Sequence, residues 1–284
     1  GWVERIAFAG EMLVTGDSWG RLIGWRYAEE SPEPVWSRED ALDGWIRGLA
    51  ASGDGRLIAA AGNDASVKLF VVADGSPAGE FCDHPDDVYS VALHPHGQAI
   101  VTGDLKGTLR HFDLTSKELV RRVESPLLYK VDRIQDCGGV RNLTFDSTGK
   151  RLLVGGMKNP GGGFAVGAPL VLVYDWETMT VEHELQHGDT SQGFAYDAAF
   201  HPDGFVIAAS CAMPNTGKLW FWRLGEPQPF FVAPDLANGR SLALHPVNKR
   251  RLAVVQSVSP NGNGRPKGQA YVDGTAKIRL LDLA

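Results

Sequence analysis

The chain has 284 residues, with 28 Lys and Arg against 34 Asp and Glu, giving a formal charge of −6. That acidic balance argues against nucleic acid as a partner, because a phosphate-binding footprint needs a basic excess. Glycine makes up about 12% of the chain against a usual ~7%, which reads as many tight turns around a core, and no apolar run approaches the ~18 residues of a membrane span.

The predicted elements are short strands in groups. The first group covers residues 3–8, 12–15, 21–25 and 34–37, and the second 46–50, 57–60, 67–70 and 80–82. The third is the clearest: strands over 88–93, 99–102 and 108–112 are separated by the turn His94-Pro95-His96-Gly97 and a second turn from Asp104 to Gly107, and a last strand covers 119–123. A fourth group (140–145, 151–154, 170–174), a fifth (196–200, 206–210, 218–222) and a sixth (240–244, 251–256, 277–281) repeat the grammar. The turn glycines Gly55 and Gly97 stand about forty residues apart, and a period of that length with four short strands per unit predicts a radial array of sheets. The units run approximately over 1–40, 41–84, 85–126, 127–189, 190–235 and 236–284, all within one domain. No fourth strand is readable in the last unit.

Three cysteines, Cys82, Cys137 and Cys211, are odd in number and widely spaced, without a paired-thiol or zinc arrangement. His94, His201 and His245 all fall in the same turn of their respective units, so rotation about the array axis separates them too far for one metal. The acidic pairs Asp86-Asp87 and Glu29-Glu30 read as solvated loop charges, since acid–base work needs carboxylates converging across a cleft. Gly161-Gly162-Gly163 lacks the following helix and Lys-Ser/Thr of a phosphate loop. No catalytic residue, metal site or cofactor is expected. The chain opens without Met, and the compartment is left open.

The residues that close each third strand, Phe112-Asp113, Tyr174-Asp175, Trp222-Arg223 and Leu281-Asp282, together with the recurring His-Pro-x-Gly or Asp-Gly turns and His84 just before Val88, resemble the WD-repeat β-propeller family. The resemblance covers nearly the whole chain and implies an all-β propeller with six readable four-stranded units, the last without its outer strand. In that family a strand from the N-terminal side closes the last blade. Its absence here makes these residues look like an excerpt of a seven-bladed propeller. The family's buried His, Ser/Thr, Asp and Trp tetrad is incomplete in every unit: Leu42 stands in the histidine place, and Trp19 and Lys106 stand in the Asp place. Packing rather than polar networks is therefore expected to hold the blades.

The resemblance also implies that the loops entering the first strand and those joining second to third share one face. Insertions at 127–139, 156–169, 186–194, 212–217 and 258–274 all belong to these loops. The positions flanking each innermost-strand marker point to the same face: Trp2, Glu4, Trp45, Arg47, Asp87, Tyr89, Gly139, Arg141, Phe194, Tyr196, Asn238 and Arg240. Trp, Tyr and Arg are the residue types enriched where partners bind. The expected function is a non-catalytic scaffold that holds a protein or peptide across this face, with no role for nucleic acid or membrane. The rival is a propeller enzyme or small-ligand binder with a pocket at the channel mouth, roofed by residues 258–274.

Overall fold

A computed structural model describes residues 1–284 except 2, 28–31, 82–83, 133, 162–165, 213–215, 234–235, 237, 246, 258–264, 268–269, 273–275 and 284. The first two sheets are meanders of β1 (Val3–Ala9), β2 (Met12–Asp17), β3 (Leu22–Arg26) and β4 (Pro34–Arg38), then β5 (Ile46–Ala51), β6 (Leu57–Gly62), β7 (Val67–Val71) and β8 (Pro77–Phe81). The third is β9 (Val88–Leu93), β10 (Ala99–Asp104), β11 (Thr108–Asp113) and β12 (Leu119–Glu124). A hairpin, β13 (Tyr129–Asp132) and β14 (Gln135–Gly138), precedes the fourth sheet of β15 (Asn142–Phe145), β16 (Arg151–Gly161), β17 (Val166–Asp175) and β18 (Val181–Gln186). The fifth is β19 (Phe194–Phe200), β20 (Phe205–Cys211), β21 (Leu219–Arg223) and β22 (Phe231–Ala233). The sixth joins β23 (Gly239–Leu244) and β24 (Arg251–Ser257) to the last strand, between which lies the hairpin β25 (Arg265–Lys267) and β26 (Ala270–Val272); that last strand is β27 (Ala276–Asp282). All the pairings are antiparallel, and each sheet runs in sequence order from an inner strand outward.

The inner strands β1, β5, β9, β15, β19 and β23 pack on one another in sequence, and β23 returns to β1, giving six blades about one axis. Apolar side chains from the facing sheets fill the seams. Val14, Leu22, Ile46 and Ile58 lie in the first seam, Leu69, Phe81, Val91 and Phe112 in the second, and Leu153, Val173, Trp220 and Trp222 in the fourth. Between sixth and first blades the buried cluster among the described residues is Ile6, Ala253 and Val255, with Val3, Leu13 and Ala243 packed against it, and the seam holds a cavity of about 400 Å³. Six blade sheets, not seven, stand around the axis among the described residues. In the structure of these residues β23 meets β1 directly.

The axis is polar. Arg5, on β1, donates Nε to the Arg47 carbonyl (2.5 Å), Nη2 to that of Arg141 (2.8 Å), and Nη1 to those of Arg240 (3.0 Å) and Tyr196 (3.2 Å). One guanidinium thus binds the inner-strand backbone of four other blades, and its Nη1 lies 3.7 Å from Asp197 Oδ2. Asp197 in turn accepts from Asn142 Nδ2, Ser241 Oγ, and the backbone N–H groups of Ala198 and Leu242. Burial pushes the Asp197 carboxyl up, and Arg5 and these donors pull it back toward the ionised form. Ser90 Oγ donates to the Val140 carbonyl and links third and fourth blades.

Polar bonds therefore join blades alongside the apolar seams, which corrects the expectation of packing alone. Inner strands approach so closely at the axis that their backbone groups and short polar side chains meet in place of apolar ones. The same correction applies within the blades. Asp17 and Asp104, two positions before Trp19 and Lys106, are the turn aspartates: each accepts two backbone N–H groups across its turn. Asp104 also forms a fully buried ion pair with Arg110 at 2.5 Å, and His84 Nε2 bonds Thr102 Oγ1 at 2.9 Å. On the opposite rim, His94 and His201 each donate Nε2 to a carbonyl of the following blade, Gly149 and Lys249. At Gly24 the outer strand comes so near that an added Cβ would lie 2.3 Å from the Trp36 ring, whose Nε1 bonds the Val72 carbonyl of the second blade.

Two predictions follow from these seams. Arg5→Met leaves the Asp197 charge buried beside four unbonded carbonyls and costs about 3–5 kcal/mol in urea unfolding, whereas Arg5→Met/Asp197→Asn recovers part of the loss; an Arg5→Met chain as stable as the parent would show that the axial bonds carry nothing. In the third seam, His111 lies against Trp176 (centroids 4.7 Å apart), on which Arg121 also stacks, with Asp113 and His94 nearby. Burial first, then the Arg121 charge, lowers its imidazole to about 4. The unfolded chain, whose imidazole titrates near the ordinary ~6.5, binds the proton earlier, so stability falls as pH drops from about 6.5 to about 4. His94 and His187 are shifted in the same direction. His111→Gln should make that acid-side decline shallower in chemical unfolding measured across the window; an unchanged slope would remove His111 from it.

Candidate functional site at the channel mouth

Each inner strand presents successive residues to the axis in the same phase. One step before the axial layer of Arg5, Ser90, Asn142, Asp197 and Ser241 come Glu4, Arg47, Tyr89, Arg141, Tyr196 and Arg240. A recurring β-bulge explains their position: pairing of inner with second strand skips Glu4, Arg47, Tyr89, Tyr196 and Arg240, and the extra residue of each bulge lies between the buried markers, such as Ile46 and Val88, and the axial layer, at the mouth of the channel.

The mouth is a chain of stacked cations and rings. Arg47 Cζ lies 4.2 Å from the Trp45 ring centroid and 5.7 Å from that of Tyr89. Arg141 Cζ lies 3.9 Å from the same Tyr89 ring and 4.3 Å from Phe194. Phe194 meets Tyr196 edge-on at 5.6 Å, and Arg240 Cζ stands 5.4 Å from Tyr196. Arg240 closes the sequence on Glu4 at 3.4 Å. Asp87 Oδ2 accepts from Asn63 Nδ2 (2.6 Å), while Asn63 Oδ1 accepts from Arg47 Nε (2.6 Å). Arg141 donates Nη2 to the Gly138 carbonyl (2.7 Å). Cation–π contacts of this kind, half-shielded from water, hold each guanidinium in one orientation.

The charges are unequal. Burial works against the Arg240 cation, but Tyr196, Glu4 and Cys211 together hold its value above the ordinary one. Burial lowers Arg47 below its ordinary value, Arg141 acts the same way, and Tyr196, Glu4 and Tyr89 oppose them. Among the described residues no carboxylate forms an ion pair with Arg47 or Arg141.

Nine of the residues marked from sequence thus form one connected surface: Glu4, Trp45, Arg47, Asp87, Tyr89, Arg141, Phe194, Tyr196 and Arg240. Asn238 is buried at the entry to β23 with a left-handed φ of 55°, and Gly139 has a φ of 99° at the entry to β15. Trp2 lies outside the described residues. Sequence reasoning passed over Arg5 and Asp197, one step deeper in the same phase, and Asn63, which braces Arg47. The available signal was a lone Arg and a lone Asp at matching positions of inner strands where other units carry Gly48, Ser90 and Ser241.

Four insertions meet beside this mouth. β16 and β17 continue their pairing to Gly161 and Val166, and β13 and β14 pack on β16. Gly139 N donates to the Leu128 carbonyl, Gly167 N to that of Thr190, and Thr216 Oγ1 to that of Ser191. Residues 258–274, expected to roof the channel, lie largely outside the described residues. Below the mouth, Arg5, Ser90, Asn142, Asp197 and Ser241 line a polar chamber of about 100 Å³. Beyond it a separate apolar funnel of about 330 Å³ opens at the other end.

Comparison with known proteins agrees with this geometry. The WD40 family (WD domain, G-beta repeat) matches residues 34–70 and 75–113. Each match begins at an outer strand, β4 or β8, and runs through the first three strands of the next blade, the staggered repeat that ties neighbouring blades covalently. The chain is 31% identical over 134 residues to the CCR4-associated factor 4 homolog of Candida glabrata, covering 44% of this chain and 22% of that protein. It is 24% identical over 203 residues to telomerase protein component 1 of Rattus norvegicus and 25% identical over 203 to that of Mus musculus, covering 71% of this chain and 7% of each. The chain thus spans less than a quarter of the length of these relatives. Six radial sheets form a β-propeller, and the two repeats matched in that stagger give it its likeness to the WD-repeat family.

Proposed function

We propose that the chain is a non-catalytic scaffold that docks a protein or peptide on the face surrounding the channel mouth. WD40 propellers are generally interaction scaffolds without catalysis, and a fold by itself names no activity, so the reading rests on the site. The observation that carries it is the continuous Trp45–Arg47–Tyr89–Arg141–Phe194–Tyr196–Arg240 surface. It joins the side-chain types that dominate hot spots, already oriented by stacking, so little side-chain freedom is lost on contact. Two of the relatives carry names that describe an associated factor and a protein component.

The rival enzyme or small-ligand reading finds less support. Convergent acid and base groups are its requirement, yet Glu4 is engaged by Arg240 and Asp87 by Asn63. The chamber at Arg5, about 100 Å³, is well below the ~300–1,000 Å³ of ordinary ligand pockets.

Trp45→Ala and Arg240→Ala should each weaken capture of a purified partner by roughly thirtyfold, the equivalent of a ~2 kcal/mol hot spot. Titration calorimetry measures the loss and thermal unfolding checks the fold. Undiminished affinity in both variants would move the docking surface elsewhere.

A further inference from the structure

We propose that the mouth seats an anionic side chain of the docked peptide, a carboxylate or a phosphoryl group, between Arg47 and Arg141. This inference rests on the docking reading above and adds the chemistry of what is docked. Both guanidinium groups stack on the same Tyr89 ring, at 5.7 Å and 3.9 Å from its centroid, so two cations border one ring of the mouth. Neither has a carboxylate partner among the described residues, in a chain whose formal charge is −6. The acidic groups of this surface have other partners: Asp87 accepts from Asn63, Glu4 pairs with Arg240, and Asp197 faces Arg5 one layer down. Arg141 Nε is also buried with no hydrogen-bond partner.

Like charges in partial burial repel: burial lowers Arg47 first, and Arg141 adds a smaller push in the same direction, against Tyr196, Glu4 and Tyr89. An anion placed between them relieves the repulsion and accepts charge-assisted bonds from two planar donors, the geometry in which Arg exceeds Lys. The Arg5–Asp197 network closes the channel beneath, so the anion enters from the mouth and stops there.

The test uses mixtures of synthetic heptapeptides whose central residue is fixed as Glu, phosphoserine, Gln or Lys and whose flanks are random, passed over the immobilised chain at physiological ionic strength. The Glu or the phosphoserine mixture should be retained roughly ten- to a hundredfold over Gln, and the better of the two identifies the anion. The preference should vanish in Arg47→Gln/Arg141→Gln with thermal unfolding unchanged, return in part in Arg47→Lys/Arg141→Lys, and weaken at high salt. Equal retention of Gln and acidic mixtures leaves docking intact and overturns the anion. An acidic preference that survives the double Gln variant also overturns it. Retention of single-stranded DNA or phosphatidylserine vesicles with no peptide retained overturns the inference and the docking reading with it.

Discussion

The Arg5 guanidinium is the point on which the rest of the molecule depends. A radial array leaves an axial gap where six inner strands approach edge to edge, and their carbonyls there have no sheet partner on the inner side. Arg5 answers several of those carbonyls at once, and the buried charge this requires is matched by Asp197 across the axis. Asp197 then spreads the bond network to the fourth and sixth blades through Asn142 and Ser241. Buried pairs of this sort contribute little net stability compared with apolar replacements, and their removal by halves is costly. What the pair supplies here is position: five blades take their axial height from one group.

That height sets the mouth. The bulges carry that height upward: Arg5, Asp197 and Ser241 resume the ladder directly after the skipped Glu4, Tyr196 and Arg240, and Arg141 directly precedes Asn142, so fixing the axial residues at one level fixes these immediately above. Asn63 does the same from outside, bonding Arg47 and Asp87 together. The stacked rings and cations are consequently held by structure rather than assembled by a partner, and the insertions of the fourth and fifth blades wall one flank of the mouth through the Gly138, Gly167 and Thr216 contacts.

Much of this was legible in the sequence because the repeat does the geometric work. Once the period and the phase of Val88 are known, Trp45, Tyr89, Arg141 and Arg240 fall on one face without any distance being known, and the structure brings them together. The parts that escaped are those where partners come from different units at unequal offsets. Asp17 and Asp104 precede the expected Asp place by two residues because the turn is closed by their carboxylates and not by the family's tetrad. Arg5 and Asp197 were hidden because each is unusual in its own unit alone, and their meaning lies in their being on opposite sides of one axis.

The electrostatics complete the asymmetry between the two ends of the channel. An excess of carboxylates over the whole chain repels acidic partners at long range, yet screening limits that repulsion to about 8–10 Å at physiological salt. Inside that distance the local field is set by the mouth, where Arg47 and Arg141 make no ion pair among the described residues while Glu4 and Asp87 are bonded to Arg240 and Asn63. The opposite opening, lined by Ala50, Leu93, Leu143 and Ala198, has no comparable cationic group among the described residues. The two ends of the axis are thus chemically distinct, and the end that carries oriented cations is also the end that the inserted loops flank.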